Sequence, residues 1–301
     1  MILENLEKAN KAWLSAKKVA LKEIKFGKSI LDCAEKIESE IRKHAEVAFP
    51  VNLSRNNSAA HYSPLSDSKE VWGKDDLIKV DIGAQSNGYT IDGAFTIDLS
   101  GKNEKLVNAS KSALEKALDY IKKNKKDSKV GEIGTIIEKE IILFGFKPIS
   151  NLMGHEISAY SLHAGKSIPN ISQKDNSTLG TNRIYAIEPF ASTGNGFVKN
   201  ASFCSIYFPT EKQTRNTTGR QILKEIEEFK GLPFSERWIG KDLNPTSKKI
   251  TLALLVKEGC IRPAPQLDDR EGCLISQAEA TIYIGENNNI HIFARWLYAE
   301  R

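Results

Sequence analysis

The sequence predicts an α+β fold in which helices and antiparallel strands alternate along the chain. Two alternating apolar runs over residues 77–99 flank Asn87-Gly88, a dipeptide typical of a two-residue hairpin turn. Before this hairpin, apolar residues recur at helical spacing over residues 2–24 and again after Ser29. Strand-like runs follow the hairpin at 183–190, 202–208 and 272–297.

Boundary signals place the helices more closely. Ser29 is the type of residue that caps a helix, and we expect Phe49-Pro50 to end the second helical unit before a short extended segment. Gly145 fits the position just after a helix, and a turn is expected at 287–289. The two helices between the hairpin and the later strands are predicted at 103–123 and 131–144.

The composition is that of a globular protein, and we expect a single domain over residues 1–301. A chain this long buries enough surface to need neither disulfides nor a structural metal. The net charge of +5 is too small to indicate nucleic-acid binding, and no apolar run is long enough to span a membrane. Because the N-terminus lacks a signal peptide, a cytoplasmic location is expected. Residues 209–263 are helix-rich, which predicts a small inserted helical subdomain.

Asp81 and Asp92 lie on opposite arms of the predicted hairpin. Residues equidistant from the turn face each other, so Asp81 pairs with Ala94 and has Asp92 as its diagonal neighbour. Both carboxylates then project from one face, roughly 7 Å apart at most. Because carboxylates this close repel each other unless a cation lies between them, a metal site is one interpretation. A surface aspartate beside the turn is the other.

Four later residues offer further candidate ligands. His155 and His163 are two of only five histidines, and they lie eight residues apart. Glu188 and Glu279 each fall within a predicted apolar strand, where a carboxylate is costly unless it is ion-paired or metal-bound. Two separate buried ion pairs would explain the glutamates equally well. No phosphate-binding loop and no Gly-x-Ser-x-Gly nucleophile motif is present.

The motifs around these residues resemble those of the type II methionine aminopeptidases, a family of creatinase-like "pita-bread" metallohydrolases. The resemblance covers essentially the whole chain, and the short N-terminus makes the archaeal form the closer likeness. Residues 56–64, which include His61, resemble the family's substrate-histidine loop, and residues 209–263 resemble its helical subdomain. The other matching positions are Asp81 and Asp92, eleven residues apart, His155 in Asn-Leu-x-Gly-His, His163 in His-Ala-Gly-Lys, Glu188 and Glu279.

The resemblance implies a pita-bread fold, a curved antiparallel sheet covered by helices, and removal of the initiator methionine from nascent polypeptides. It implies that Asp92 and Glu279 bridge two divalent ions, that Glu188 is the general base, and that His61 and His163 bind the scissile peptide. It further implies a cytoplasmic monomer with transient ribosome contact and with neither membrane nor specific nucleic-acid binding. The implied ligands of the two ions, which would be Co, Mn, Fe or Zn, are Asp81, Asp92, His155, Glu188 and Glu279.

Two positions depart from the family pattern. Ala280 stands where the family usually has a histidine after its last glutamate, and Gly93 follows Asp92 where threonine or cysteine is commoner. Neither departure removes a ligand. Ala280 does remove a group that could support one, which can lower metal affinity or rate.

Two other functions are compatible with the same fold. A proline-specific peptidase would share the ligands, but such enzymes usually carry Glu-Pro-Gly where this chain has Glu188-Pro189-Phe190. A non-catalytic pita-bread relative that binds ribosomes or RNA would be expected to lose ligands, and none is lost here.

Overall fold

A computed structural model describes residues 1–295 and confirms the predicted α+β class. Residues 296 and 297, the end of the last predicted strand-like run, lie outside the described residues. In the described chain the helices are α1 (Ile2–Glu23), α2 (Ile30–Arg42), α3 (Glu104–Asn124), α4 (Val130–Leu143), α5 (Thr217–Ile226) and α6 (Pro245–Glu258). The strands are β1 (Glu46–Arg55), β2 (Ser58–Ala60), β3 (Leu77–Ser86), β4 (Tyr89–Asp98), β5 (Lys147–Pro148), β6 (Met153–Ile157), β7 (Ser167–Pro169), β8 (Arg183–Ile187), β9 (Phe190–Ser192), β10 (Lys199–Asn200), β11 (Ile206–Pro209), β12 (Phe234–Ser235), β13 (Ile261–Ala264), β14 (Leu267–Asp268), β15 (Ile275–Gln277), β16 (Ala280–Ile284) and β17 (Ile290–Phe293).

The first four helices begin close to the predicted positions, and α1, α3 and α4 also end close to them, because their boundary signals are local. Helix α2 ends at Arg42, well before the predicted end at Phe49-Pro50, which lies within strand β1. The Ser29 hydroxyl accepts a hydrogen bond from the Asp32 amide at 3.2 Å, as an N-cap does. Gly145 follows α4 with a φ of +84°, a left-handed conformation that favours glycine after a helix. The described helices include none long and apolar enough to cross a membrane.

Two helix pairs cover three antiparallel sheets. Helices α1 and α2 pack on the sheet with order β1-β3-β4, and their apolar cluster includes Trp13 and Val80. Helices α3 and α4 pack on the sheets with orders β17-β16-β8-β6-β7 and β15-β9-β5, through a second cluster that includes Leu118 and Ile282. Because side chains alternate along a strand, Asp81 projects from the sheet face opposite Val80.

The structure corrects three strand predictions. Strand β1 runs through Phe49-Pro50, and the proline is tolerated because the register with β3 shifts on both sides of Phe49. The predicted strand at 183–190 is two strands, β8 and β9, separated by Glu188-Pro189. Of the run at 202–208, only the residues from Ile206 onward form a strand, β11, which extends to Pro209.

The segment from β11 to β13 contributes a third apolar cluster. Helices α5 and α6 pack together there, around residues such as Ile222 and Leu255. The sheet with order β12-β11-β13 lies beside them, and β1 contacts β12. This segment therefore has a small core of its own and packs against the main sheet.

Candidate metal centre and substrate pocket

The hairpin has the register that its turn predicts. Asn87 and Gly88 both have positive φ values, 51° and 84°, as a two-residue hairpin turn of this twist requires. Asp81 pairs with Ala94 and Gly83 pairs with Asp92, so the two aspartates are diagonal neighbours. Their side chains lie on the same sheet face, away from α1.

Three later segments bring the other predicted ligands to this face. His155 is in β6, and its Nε2 lies 3.5 Å from Asp92 Oδ2 and 3.7 Å from Glu188 Oε1. One ligand atom from each of Asp92, His155 and Glu279 lies within 4.8 Å of the others. Two of these residues are not within strands as predicted: Glu188 follows β8 and Glu279 precedes β16, at points where the chain passes from one sheet to the next.

The carboxyl groups of this cluster are held close together in a region of low exposure. Burial raises the pKa of Asp81, Asp92, Glu188 and Glu279, and the charges of neighbouring carboxylates raise those of the last three further. Burial, followed by the neighbouring His163, lowers the pKa of His155 to about 3, so its imidazole is neutral. Clustered carboxylates and a neutral imidazole are the donor set that divalent metal ions prefer.

A carboxylate oxygen of the cluster is left without a partner. The Oδ1 atom of Asp81 is buried and has no hydrogen-bond partner among the described residues. An unpaired buried oxygen costs free energy, and a cation bound beside it would remove that cost. The residues present therefore fit a divalent metal site.

His61 and His163 flank the cluster. Burial is the largest cause that lowers the pKa of each ring, so both are neutral near pH 7. The Nδ1 of His61 lies 3.1 Å from the Pro265 carbonyl oxygen, to which it donates, which leaves Nε2 as an acceptor. In this tautomer His61 can accept a hydrogen bond from a substrate at Nε2 but cannot donate one there. The His163 ring centroid is 4.4 Å from that of His155.

A cavity of 500 Å³ opens above the cluster. All seven predicted site residues line it, so the structure brings every one of them together. Apart from the seven site residues, most of the residues that line it are apolar, and they come from several separate elements. The apolar residues of the wall include Phe49, Leu152, Leu162, Phe190, Ile206 and Phe208.

Comparison with known proteins identifies the family to which this chain belongs. The model of metallopeptidase family M24 matches residues 4–227. A methionine aminopeptidase of Methanocaldococcus jannaschii is 40% identical over 293 residues, which cover 95% of this chain and 98% of that protein. The chain belongs to metallopeptidase family M24, among its methionine aminopeptidases. The use of divalent metal follows from this membership and from the clustered ligands.

Solved structures confirm the pita-bread fold. A methionine aminopeptidase of Thermotoga maritima matches with a TM-score of 0.68 at 22% identity, covering 97% of this chain and 96% of its own. The structure of a thermophilic Arx1 matches with a TM-score of 0.83 at 19% identity, covering 96% and 89%. At these identities the likeness shows the fold alone. The full-length likeness to a methionine aminopeptidase at 40% identity favours that activity over the two alternatives.

The two departures from the family pattern have different structural settings. A Cβ at Gly93 would lie 2.4 Å from Ala294 Cβ and 3.0 Å from the Trp13 ring, so no larger residue fits there. Ala280 is fully buried in the apolar cluster against α3 and α4. The next residue, Thr281, accepts a hydrogen bond from the Asp92 amide and donates one to its carbonyl, so it supports a predicted ligand.

Sequence reasoning missed several polar residues beside the site, among them Asn52 and Arg262. Asn52 accepts a hydrogen bond from the His61 amide at 2.6 Å, which stabilises the positive φ of that residue. Arg262 lines the cavity from β13. Neither belongs to a local motif with chemical meaning, and no signal in the sequence could have identified them. The apolar wall was also missed, because its residues are scattered over the chain.

Proposed function

We propose that this chain removes the N-terminal methionine from peptides and nascent polypeptides with the help of divalent metal ions. The observation that supports this most strongly is the convergence of all seven predicted site residues on one cavity with an apolar wall. A methionine side chain is unbranched and apolar, which suits a pocket lined by aromatic and aliphatic residues. The curated relatives of similar length support the same activity.

We infer that the metal centre holds two ions. Four carboxylates carry more negative charge than one divalent ion balances, and two ions would balance it. By the family resemblance, Asp92 and Glu279 would each be shared by the two ions, and the proximity of their ligand atoms to each other and to His155 supports this role. The ions proposed are Co, Mn, Fe or Zn, all of which accept mixed oxygen and imidazole donors, and their ligands would be Asp81, Asp92, His155, Glu188 and Glu279.

Metal ions bound at such a site supply Lewis-acid chemistry and lower the pKa of a water molecule. The chain's own residues would supply the rest. Glu188 is the proposed general base, because it is more accessible than Asp92 and Glu279 and its pKa is raised by burial. His61 Nε2 would accept a hydrogen bond from the scissile peptide N–H. His163 would donate to the peptide carbonyl oxygen as charge develops there.

The helical segment 209–263 is proposed to act as an inserted subdomain that closes one side of the pocket. Pro233 and Arg262 from this segment line the cavity, which supports that role. Because nascent chains carry the initiator methionine, we also propose a cytoplasmic monomer that contacts the ribosome transiently.

The function is tested by methionine release from a Met-Gly-x peptide by metal-reconstituted protein, beside an x-Pro peptide of equal length. The expected result is release of methionine and no cleavage of the x-Pro peptide. Chelated protein and the Glu279→Gln variant are the matched negative controls. Preferential cleavage of the x-Pro peptide would replace the proposal with a proline-specific peptidase, and absence of any cleavage would favour a non-catalytic role.

A further inference from the structure

Arg262 is fixed at the mouth of the cavity by its neighbour across the sheet. It lies in β13 directly opposite Phe208 of β11, so both side chains project from the same face. The guanidinium carbon lies 4.4 Å from the Phe208 ring centroid, a cation–π distance. The Phe208 ring in turn lies 6.4 Å from the His163 ring. The cation therefore has a defined position beside a proposed substrate-binding histidine.

The charge of Arg262 is not matched by a partner in the described chain. Among the described residues that line the cavity, it is the one lysine or arginine, whereas the acidic residues lie at the metal centre. No carboxylate of residues 1–295 lies within ion-pair distance of it, and the side chain is exposed. Its hydrogen-bond donors are therefore available to a ligand that enters the cavity.

The field of this guanidinium reaches the proposed position of the scissile bond. Burial is the largest cause of the lowered pKa of His163, and the charge of Arg262 lowers this pKa further. The same charge also lowers the pKa of His61. The cation therefore lies close to a substrate held between the two histidines. The two histidines would contact the peptide bond that joins the first and second residues of the substrate. Since an extended peptide advances about 3.3 Å per residue, the third residue is the first whose side chain lies beyond this bond.

We propose that Arg262 binds an acidic side chain at the third position of the substrate, so that the enzyme prefers chains that begin Met-x-Asp or Met-x-Glu. This inference rests on the proposed function, because it takes methionine as the first residue. A guanidinium and a carboxylate form a bidentate pair, and the ring of Phe208 holds the guanidinium in place for it. The other charged residues that line the cavity are the metal-centre carboxylates, whose charge the bound metal ions would balance.

The test compares C-terminally amidated peptides, in which the third side chain is the only variable charge. Ratios of kcat/KM are measured for Met-Gly-Asp against Met-Gly-Asn peptides and for Met-Gly-Glu against Met-Gly-Gln peptides. For the native enzyme we expect the acidic peptide to be preferred about 2- to 5-fold, the range for an exposed ion pair. The preference should decline as ionic strength rises, because salt screens exposed charges.

Three variants locate the effect. Arg262→Gln should bring both ratios to one, and Arg262→Glu should bring them below one. Arg220→Gln, which removes an exposed arginine from α5, should leave both ratios unchanged. Equal release from acidic and neutral peptides by the native enzyme would refute the role of Arg262 while leaving the proposed function intact. Failure to release methionine from any of these peptides would instead refute the proposed function.

Discussion

Glu38→Gln tests how the segment 209–263 is held against the rest of the molecule. Glu38 in α2 is 1% exposed and accepts two hydrogen bonds from Arg237, at 2.5 and 2.7 Å. It also accepts from Trp238 Nε1 at 2.9 Å and from the Val51 amide at 3.2 Å. Arg237 is itself only 8% exposed. One carboxylate thus joins α2, β1 and the segment.

The expected loss in the free energy of unfolding follows from the interactions that a glutamine at this position cannot make. It keeps the shape of the side chain but replaces one acceptor oxygen with a donor, and it leaves the Arg237 charge buried without a counter-charge. Removal of one member of a buried ion pair costs about 3–5 kcal/mol. Since domains have a free energy of unfolding of about 5–15 kcal/mol, this loss should lower the denaturation midpoint clearly.

The measurement is urea unfolding of the metal-free protein, followed by tryptophan fluorescence. Glu35→Gln, on an exposed site of the same helix, is the matched control and should change the free energy of unfolding by less than about 0.5 kcal/mol. The double variant Glu38→Leu with Arg237→Met should be less destabilised than Glu38→Gln, because no charge remains buried alone. A Glu38→Gln protein as stable as its Glu35→Gln control would refute the reasoning.

Three further changes test the site and its surroundings. Glu279→Gln should abolish methionine release without lowering the stability of the metal-free protein, because it removes one of several mutually repelling carboxylates; metal content and turnover check this. His61→Ala should retain its metal but lose about 10²-fold or more in kcat, whereas an unchanged kcat would mean that the ring only packs in the loop. Burial raises the pKa of Asp269, but hydrogen bonds from Ser192 and three backbone amides outweigh this effect, so the net shift is downward. The stabilising effect of the ionised carboxylate should therefore be present above about pH 4 and disappear as the pH falls through the lower folded-state pKa. Over that range the difference in free energy of unfolding between the native protein and Asp269→Asn should shrink. Denaturation at several pH values measures this difference.

The hairpin was predictable in detail because its information is local. The turn Asn87-Gly88 fixes which residues face each other, and alternation fixes the face on which Asp81 and Asp92 project. The fit of Gly93 against Trp13 lay beyond such reasoning, since it depends on the packing of α1, eighty residues away in sequence.

The rest of the site depends on contacts that no local pattern encodes. An apolar run predicts a strand, but it does not show where the chain leaves one sheet for another, which is where Glu188 and Glu279 lie. Their convergence with Asp92 was expected from the family resemblance and not from periodicity. The pairing of Glu38 with Arg237 and the position of Arg262 at the cavity mouth likewise arise only once distant segments pack together.

Thr281 connects strand β16 to the metal centre through hydrogen bonds to the backbone of Asp92. Its hydroxyl accepts a hydrogen bond from the Asp92 amide at 2.8 Å and donates one to the Asp92 carbonyl at 2.6 Å. Counted from the two-residue turn, Gly83 and Asp92 form a non-hydrogen-bonded pair, so β3 does not satisfy these backbone groups. Thr281 therefore takes the place of a neighbouring strand and holds the backbone of a proposed bridging ligand.

Thr281→Val removes the hydroxyl while keeping the shape of the side chain. Both Asp92 backbone groups then stay buried without a partner, at a cost of about 1–3 kcal/mol each, so we expect a loss of about 2–6 kcal/mol in the free energy of unfolding. Metal affinity should fall about 10- to 100-fold, because the ligand is less well oriented. Thr281→Ser, which keeps the hydroxyl, should retain most of the native metal affinity. Urea unfolding of the metal-free protein and calorimetric metal titration measure the two effects separately. If the free energy of unfolding of the valine variant lies within about 1 kcal/mol of the native value and its metal affinity is unchanged, the hydrogen bonds from Thr281 do not hold Asp92 in place.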